Sequence, residues 1–188
     1  MVDHNTHTPT LAGHEGGQNP HKPATRADLF ARLNALSIAT KTVDHPPVYT
    51  VAESEAVELE IPGGHTKNLF LKDSKGALFL VVAESHTPVD LKAMSKRLAA
   101  GRFSFGKPEL MMQVLGVTPG SVTAFAVMSD TLGRVKVVID ELLMRHDVIN
   151  AHPLDNAATT SIAREDLFQF ISACGHTPHI AALVSEEA

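Results

Sequence analysis

The chain has 188 residues, room for one domain and a short tail but cramped for two independent cores. Hydrophobic residues make up 44% of it, with 5% aromatic and no Trp, so a core must rest on Val, Leu, Ile, Ala and Phe. Sixteen Lys plus Arg against 21 Asp plus Glu give a formal net charge of −5, which argues against a DNA partner or bulk duplex binding and leaves open a grip on one nucleic-acid end. Cys174 is the only cysteine, which excludes an intramolecular disulfide and a multi-thiolate metal site. No apolar run approaches the roughly 18 residues of a membrane span, and the N-terminus lacks a signal-peptide pattern, so a cytoplasmic protein without a membrane partner is expected.

Residues 1–24 are polar and rich in Gly, Pro and His, and read as a flexible tail; His4, His7, His14 and His21 match no compact metal spacing. The domain itself is expected over 25–188. A first helix is predicted over Arg26 to Leu36 with Thr25 as N-cap, because Leu29, Phe30, Leu33 and Leu36 recur at helical spacing. A strand over Thr40 to Asp44 follows, and Thr50-Val51-Ala52-Glu53 reads as a capping box opening a short acidic helix. Lys67 to Lys72 and Ala77 to Ala83 are predicted to form a hairpin through Asp73-Ser74-Lys75-Gly76. The second of these strands is apolar at every position, the mark of a central strand covered on both faces.

Helices are predicted over Asp90 to Ala99 and Pro108 to Leu115, the latter with Pro108 at a first helical position. Strands are predicted at Ala124 to Met128, Val135 to Ile139, Val148 to His152, Ala157 to Ile162 and Ile180 to Val184. Glu141 to His146 reads as a helical turn, and Arg164 to Cys174 as an amphipathic helix stopped by Gly175. The mixture lacks a regular βαβ repeat. It predicts an α+β single domain with a mixed, largely antiparallel twisted sheet wrapped by helices.

Several reaction classes lack their motifs. There is no Gly-x-Gly-x-x-Gly, phosphate-binding loop, His-Glu-x-x-His, Gly-x-Ser-x-Gly or zinc-deaminase Pro-Cys-x-x-Cys. Cys174 ends an amphipathic helix and reads as a packed small hydrophobe rather than a nucleophile.

Three segments stand out. In His65-Thr66-Lys67-Asn68-Leu69-Phe70-Leu71-Lys72-Asp73, Lys67 shares a strand face with Leu69 and Leu71 and can lean over a pocket toward a phosphate or ribose hydroxyl. By spacing alone, a lysine snorkelling to solvent fits as well. In Gly116-Val117-Thr118-Pro119-Gly120-Ser121-Val122-Thr123, a tight loop exposes backbone N–H groups able to hold a carbonyl oxygen as charge develops, or is an ordinary turn. In His152-Pro153-Leu154-Asp155-Asn156-Ala157-Ala158-Thr159-Thr160, His152 is either a general base or a hydrogen-bonded structural histidine.

Together these segments resemble the prolyl-tRNA editing-domain family (YbaK/ProX type), over about Arg26 to Val184, and look most like its freestanding alanine-specific branch. The resemblance implies a hydrolase that strips alanine from mischarged tRNA(Pro) in trans. It implies that Lys67 contacts the terminal nucleotide, that the backbone at Gly120 holds the aminoacyl carbonyl, and that His152 shapes a small pocket. Ser121, Thr123, Asn156 and Thr159 are the further candidate substrate contacts. Water would cleave the ester with help from a terminal ribose hydroxyl, so no cofactor and no metal are expected.

The partners implied are a tRNA acceptor end carrying a small amino acid and, as a candidate, prolyl-tRNA synthetase. Lys72, Lys75, Arg97, Arg102 and Lys107 are candidate helpers for the RNA. One departure concerns the family's Gly-x-x-x-Pro loop, whose proline is replaced here by Ala124, removing a fixed φ angle. Two other readings stand beside this one: a deacylase for another mischarged tRNA such as cysteinyl-tRNA(Pro), and a non-catalytic tRNA- or synthetase-binding module.

Overall fold

The computed structural model describes residues 23–47 and 58–184. The predicted capping box at 50–53 and most of the predicted tail lie outside the described residues. Helix α1 (Arg26–Ala35) starts where Thr25 accepts from the Asp28 N–H while the Asp28 carboxylate accepts from the Thr25 N–H. This reciprocal pairing satisfies two of the N–H groups that a helix start leaves orphaned. Leu29 and Leu33 bury its inner face.

Strands β1 (Thr40–Asp44), β2 (Gly64–Asp73) and β3 (Leu78–Glu84) follow. The β2–β3 hairpin turns where predicted, and Asp73 fastens it: its Oδ1 accepts from the Lys75 and Ala77 amides and its Oδ2 from the Gly101 amide. Helix α2 (Leu91–Arg97) is N-capped by Asp90 and is shorter at both ends than the sequence predicts. Strand β4 (Phe103–Phe105), which no sequence pattern announced, pairs with the hairpin end of β2. Helix α3 (Pro108–Leu115) has the predicted bounds and ends on Gly116, whose φ of 67° is the left-handed conformation glycine adopts freely.

The predicted strand at Ala124 to Met128 is instead a 3-10 helix, Ala124–Ser129. A strand would send alternate side chains to opposite faces, whereas Ala124, Phe125, Ala126 and Val127 are all fully buried in one core. The Thr123 hydroxyl accepts from the Phe125 N–H and starts the turn. Strand β5 (Val135–Asp140), a 3-10 turn (Glu141–Arg145), β6 (Val148–Ala151), β7 (Ala158–Ala163), helix α4 (Arg164–Ala173) and β8 (His179–Ala181) complete the chain.

The eight strands form one mixed sheet in the order β1-β7-β6-β2-β3-β5-β8, with β4 on β2. The β1–β7, β6–β7, β2–β3 and β2–β4 pairs are antiparallel; β2–β6, β3–β5 and β5–β8 are parallel. β3 is central, as its unbroken apolar run predicts. Leu78, Leu80 and Val82 pack into the larger cluster with α1, α3 and α4, while Phe79, Val81 and Ala83 face the smaller one with Met94 of α2. Both faces of β2 are covered in the same way, by Phe70 on one side and Leu71 on the other.

Candidate active site

The parallel β2–β6 pair positions the site. Its register matches His65 to Asn150, and the Thr66 hydroxyl donates to the Asn150 carbonyl at 2.9 Å. Lys67 lies two residues further along β2, and His152 two residues further along the neighbouring chain, just past the end of β6. Asn150 secures this junction. Its Oδ1 accepts from Ser161 at 2.6 Å and its Nδ2 donates to the Pro62 carbonyl at 3.2 Å.

Lys67 is half-buried, opposite Ala83 on β3. No carboxylate among the described residues forms an ion pair with it. Burial lowers the pKa of its ammonium, and the charges of Glu84, Asp140 and Glu58 oppose that shift.

His152 is half-buried just beyond β6. Its Nδ1 lies 3.2 Å from the Ala158 carbonyl, which can only accept, so the neutral ring carries its proton on Nδ1 and leaves Nε2 with a bare lone pair. Burial lowers its pKa against the hydrogen bond it donates to the Ala158 carbonyl, and the nearby His45 and His65 push in the same direction as burial. Between that lowered value and the ordinary ~6.5, the unfolded chain holds a proton the folded chain refuses, so stability falls as pH drops through this window. His152→Gln is expected to flatten that dependence; urea midpoints at about pH 7 and about pH 5 check it. A variant as acid-sensitive as the parent contradicts it.

The loop after β6 is held by a fork. Arg26 donates through Nε and Nη2 to the two Asp155 oxygens, each at 2.8 Å, and through Nη1 to Asp44 at 2.6 Å. Burial alone would raise the Asp155 pKa, but the Arg26 hydrogen bonds, the Ala157 amide and the charges of Arg26 and His152 together hold the carboxyl low. Leu154 in this loop packs on the larger core cluster, as does Val122 in the Gly120 loop.

Gly120 is exposed with φ 89°, and the Ser121 amide donates back to the Thr118 carbonyl at 3.0 Å. Thr123 is fully buried and spends its hydroxyl on the 3-10 turn. Thr159 is buried, with its hydroxyl 3.0 Å from His45 Nε2. Asn156 is half-buried. Lys67 and His152 therefore lie on or just past neighbouring strands, while the loop that carries Gly120 packs on the larger cluster through Val117 and Val122. No hydrogen bond among the described residues joins any two of these three.

The five candidate RNA helpers are exposed and gather elsewhere. Lys72 and Lys75 sit at the hairpin end of β2, Arg102 and Lys107 flank β4, and Arg97 ends α2. That places Lys72 about 17 Å along the strand from Lys67. Three groups that the sequence reading did not single out border the site: His45, His65 and Asn68. Asn68 Oδ1 is buried without a partner. A cavity of about 490 Å³ opens beside the start of β2, lined by Glu58, Gly63, His65, Glu84, Ser85 and His146 among others. Another, of about 500 Å³, lies over β1, β6 and β7. Neither is lined by Lys67, Gly120 or His152.

Residues 45–170 match the model of the aminoacyl-tRNA editing domain. The chain belongs to that family. The prolyl-tRNA editing protein ProX of Acetoanaerobium sticklandii is 35% identical over 150 residues, 79% of this chain and 92% of that protein. Prolyl-tRNA synthetase associated domain-containing protein 1 of Danio rerio is 38% identical over 157 residues, 82% and 85% of the two chains. A crystal structure of a protein proposed as a trans-editing enzyme for prolyl tRNA synthetase superposes with a TM-score of 0.63 at 17% identity, covering 85% of this chain and 98% of that one; it carries the fold.

The editing domain is thus an aminoacyl-tRNA hydrolase. Its one cysteine fits no nucleophilic role: Cys174 caps α4 against the larger cluster, and burial raises its thiol pKa against the pull of Arg32. No group of three or more His, Cys, Asp or Glu among the described residues is arranged to hold a metal ion. No helix among them is long and apolar enough to cross a membrane.

Proposed function

We propose that this editing domain hydrolyses mischarged alanyl-tRNA(Pro) in trans. The observation that carries the reading is the half-buried Lys67 side chain, without an ion-pair partner among the described residues, on the strand that pairs with β6. A desolvated point charge left unneutralised is available to the negative acceptor end of a tRNA. The curated relatives named for prolyl-tRNA editing and for association with prolyl-tRNA synthetase support the prolyl system, with the synthetase as candidate partner.

In this reading Lys67 contacts the terminal nucleotide and backbone amides at Gly120 hold the aminoacyl carbonyl as negative charge develops on it. Ser121, Thr123, Asn156 and Thr159 contribute to the substrate surface, Thr123 and Thr159 through their backbone or by holding shape because their hydroxyls are already bonded. Water attacks the ester carbon; the terminal ribose supplies the neighbouring hydroxyl that helps it. His152 limits the pocket to a very small side chain, so alanine enters and the proline ring is refused by steric clash.

The test is hydrolysis of alanyl- and cysteinyl-tRNA(Pro) under matched conditions. Faster turnover of the alanyl ester supports the proposal; preference for the cysteinyl ester reassigns the substrate, and tRNA binding without turnover reduces the chain to a binding module. His152→Ala is expected to broaden the accepted amino acids, with discrimination against a larger side chain falling on the order of 10-fold or more. Unchanged selectivity across several mischarged tRNAs contradicts that role.

Gly120→Ala tests the loop. An added Cβ meets nothing within 4 Å, but the φ of 89° is one that L residues rarely adopt, so the loop must shift rather than clash. A stability loss of about 1 kcal/mol and a fall in kcat on the order of 10- to 100-fold are expected. A parental kcat removes Gly120 from the carbonyl site.

A further inference from the structure

Three strands line up one row of residues across the sheet. Lys67 on β2 is paired with Ala83 on β3, and Ala83 lies one step beyond the last β3–β5 pair, Val82 with Ile139, so it stands level with Asp140 on β5. Paired residues on neighbouring strands project from the same face. Lys67, Ala83 and Asp140 therefore share a face, with the outer two about 10 Å apart at the backbone. The residue between them has only a methyl group and is fully buried. A lysine stem can lie over it where a larger side chain would block the way.

Asp140 is fully buried, yet every polar contact it makes is one in which it accepts. Its Oδ2 takes the Glu84 amide at 3.2 Å and the Thr87 hydroxyl, and its Oδ1 takes the Leu142 amide at 3.2 Å. Accepting from three donors and donating to none is the pattern of an ionised carboxylate. No Lys, Arg or His among the described residues forms an ion pair with it. A buried charge of this kind is costly unless an opposite charge compensates it. The cation on its row is Lys67.

Glu84 adds a second negative group at the same corner, one residue beyond Ala83. It is fastened by its own turn: its Oε2 accepts from the His86 amide at 2.8 Å and its Oε1 from the Ser85 hydroxyl at 3.2 Å. The other ionisable group whose charge acts on Lys67 is Glu58, ahead of β2, and His65 lies two residues back on the same strand.

We propose that Asp140 and Glu84 are positioning residues for Lys67, drawing its ammonium across Ala83 and keeping it charged at the sheet end without neutralising it in a contact ion pair. Burial works against that charge, and the two carboxylates restore it. The editing site thus holds a protonated lysine ready for an anionic ligand. This inference rests on the reading of Lys67 as a substrate contact, and its test separates the two.

The full chain is labelled with 13C-methyl groups on its lysines, and the Lys67 signal is assigned by its loss in Lys67→Arg. Its titration midpoint is then followed by NMR in the parent, Asp140→Asn and Glu84→Gln. Each substitution is expected to lower the midpoint by ~0.5 unit or more, and to move the alkaline limb of the deacylation pH profile in the same direction. Glu84 is half-exposed, so Glu84→Gln remains informative where Asp140→Asn, which places an amide N–H against the donors that Asp140 now receives, fails to fold. A midpoint unmoved in every folded variant overturns the inference. Parental deacylation by Lys67→Ala instead overturns the substrate role of Lys67 and leaves the titration result standing.

Discussion

Lys67→Ala is expected to lower deacylation of alanyl-tRNA(Pro) on the order of 100-fold or more while the protein stays folded. The side chain is half-buried at a strand end and makes no ion pair among the described residues, so its removal leaves no stranded partner in contact. Burial works against its charge, and its partner across the β2–β3 ladder is the small Ala83. Because the buried Asp140 carboxylate loses the cation on its row, stability is expected to fall by about 1–2 kcal/mol, too little to unfold the domain. Lys67→Arg keeps the charge but replaces a compact ammonium with a wider planar fork, and an intermediate rate is expected. Single-turnover deacylation with saturating protein, beside a thermal melt, decides the matter. A folded alanine variant working at the parental rate removes Lys67 from the mechanism.

Phe125→Ala is expected to have the largest effect on stability. Phe125 is fully buried in the 3-10 turn that follows the Gly120 loop, and it meets Phe170 of α4 edge-on, with ring centroids 5.4 Å apart and planes at 85°. Deleting a buried phenyl ring costs about 3–5 kcal/mol through lost burial and the cavity left behind. For a chain of this size that corresponds to a fall in melting temperature on the order of 10 °C. The same ring fixes where the chain leaves the loop, so a slower kcat is expected even well below the new melting temperature. Denaturant midpoints and a low-temperature deacylation assay check both parts. A midpoint within about 1 kcal/mol of the parent shows that the ring is not the anchor described here.

The two experiments draw on different kinds of information. Lys67 was singled out by the motif that contains it, whereas the importance of Phe125 follows from its packing. In the sequence, residues 124–128 are a short apolar run, and such a run reads equally as a strand or as a buried helical turn. The motif run that ends at Thr123 makes it a candidate substrate contact; in the structure its hydroxyl accepts from the Phe125 N–H. Asp140 gave no signal in the sequence, because an aspartate at the end of an apolar strand reads as its solvent-facing stop.

What the sequence determined by itself was local: the Thr25 cap and the α1 stripe, the β2–β3 hairpin, the buried character of β3, and the start of α3 at Pro108. These rest on periodicity, capping and turn chemistry, whose energies are settled among residues a few positions apart. Tertiary structure alone decided that β2 runs parallel to β6, that Ala124–Ser129 coils rather than extends, and that a buried carboxylate on β5 is level with the lysine. Each of these depends on pairing between segments tens of residues apart, where the register is chosen by burial over the whole sheet and no local window contains both partners.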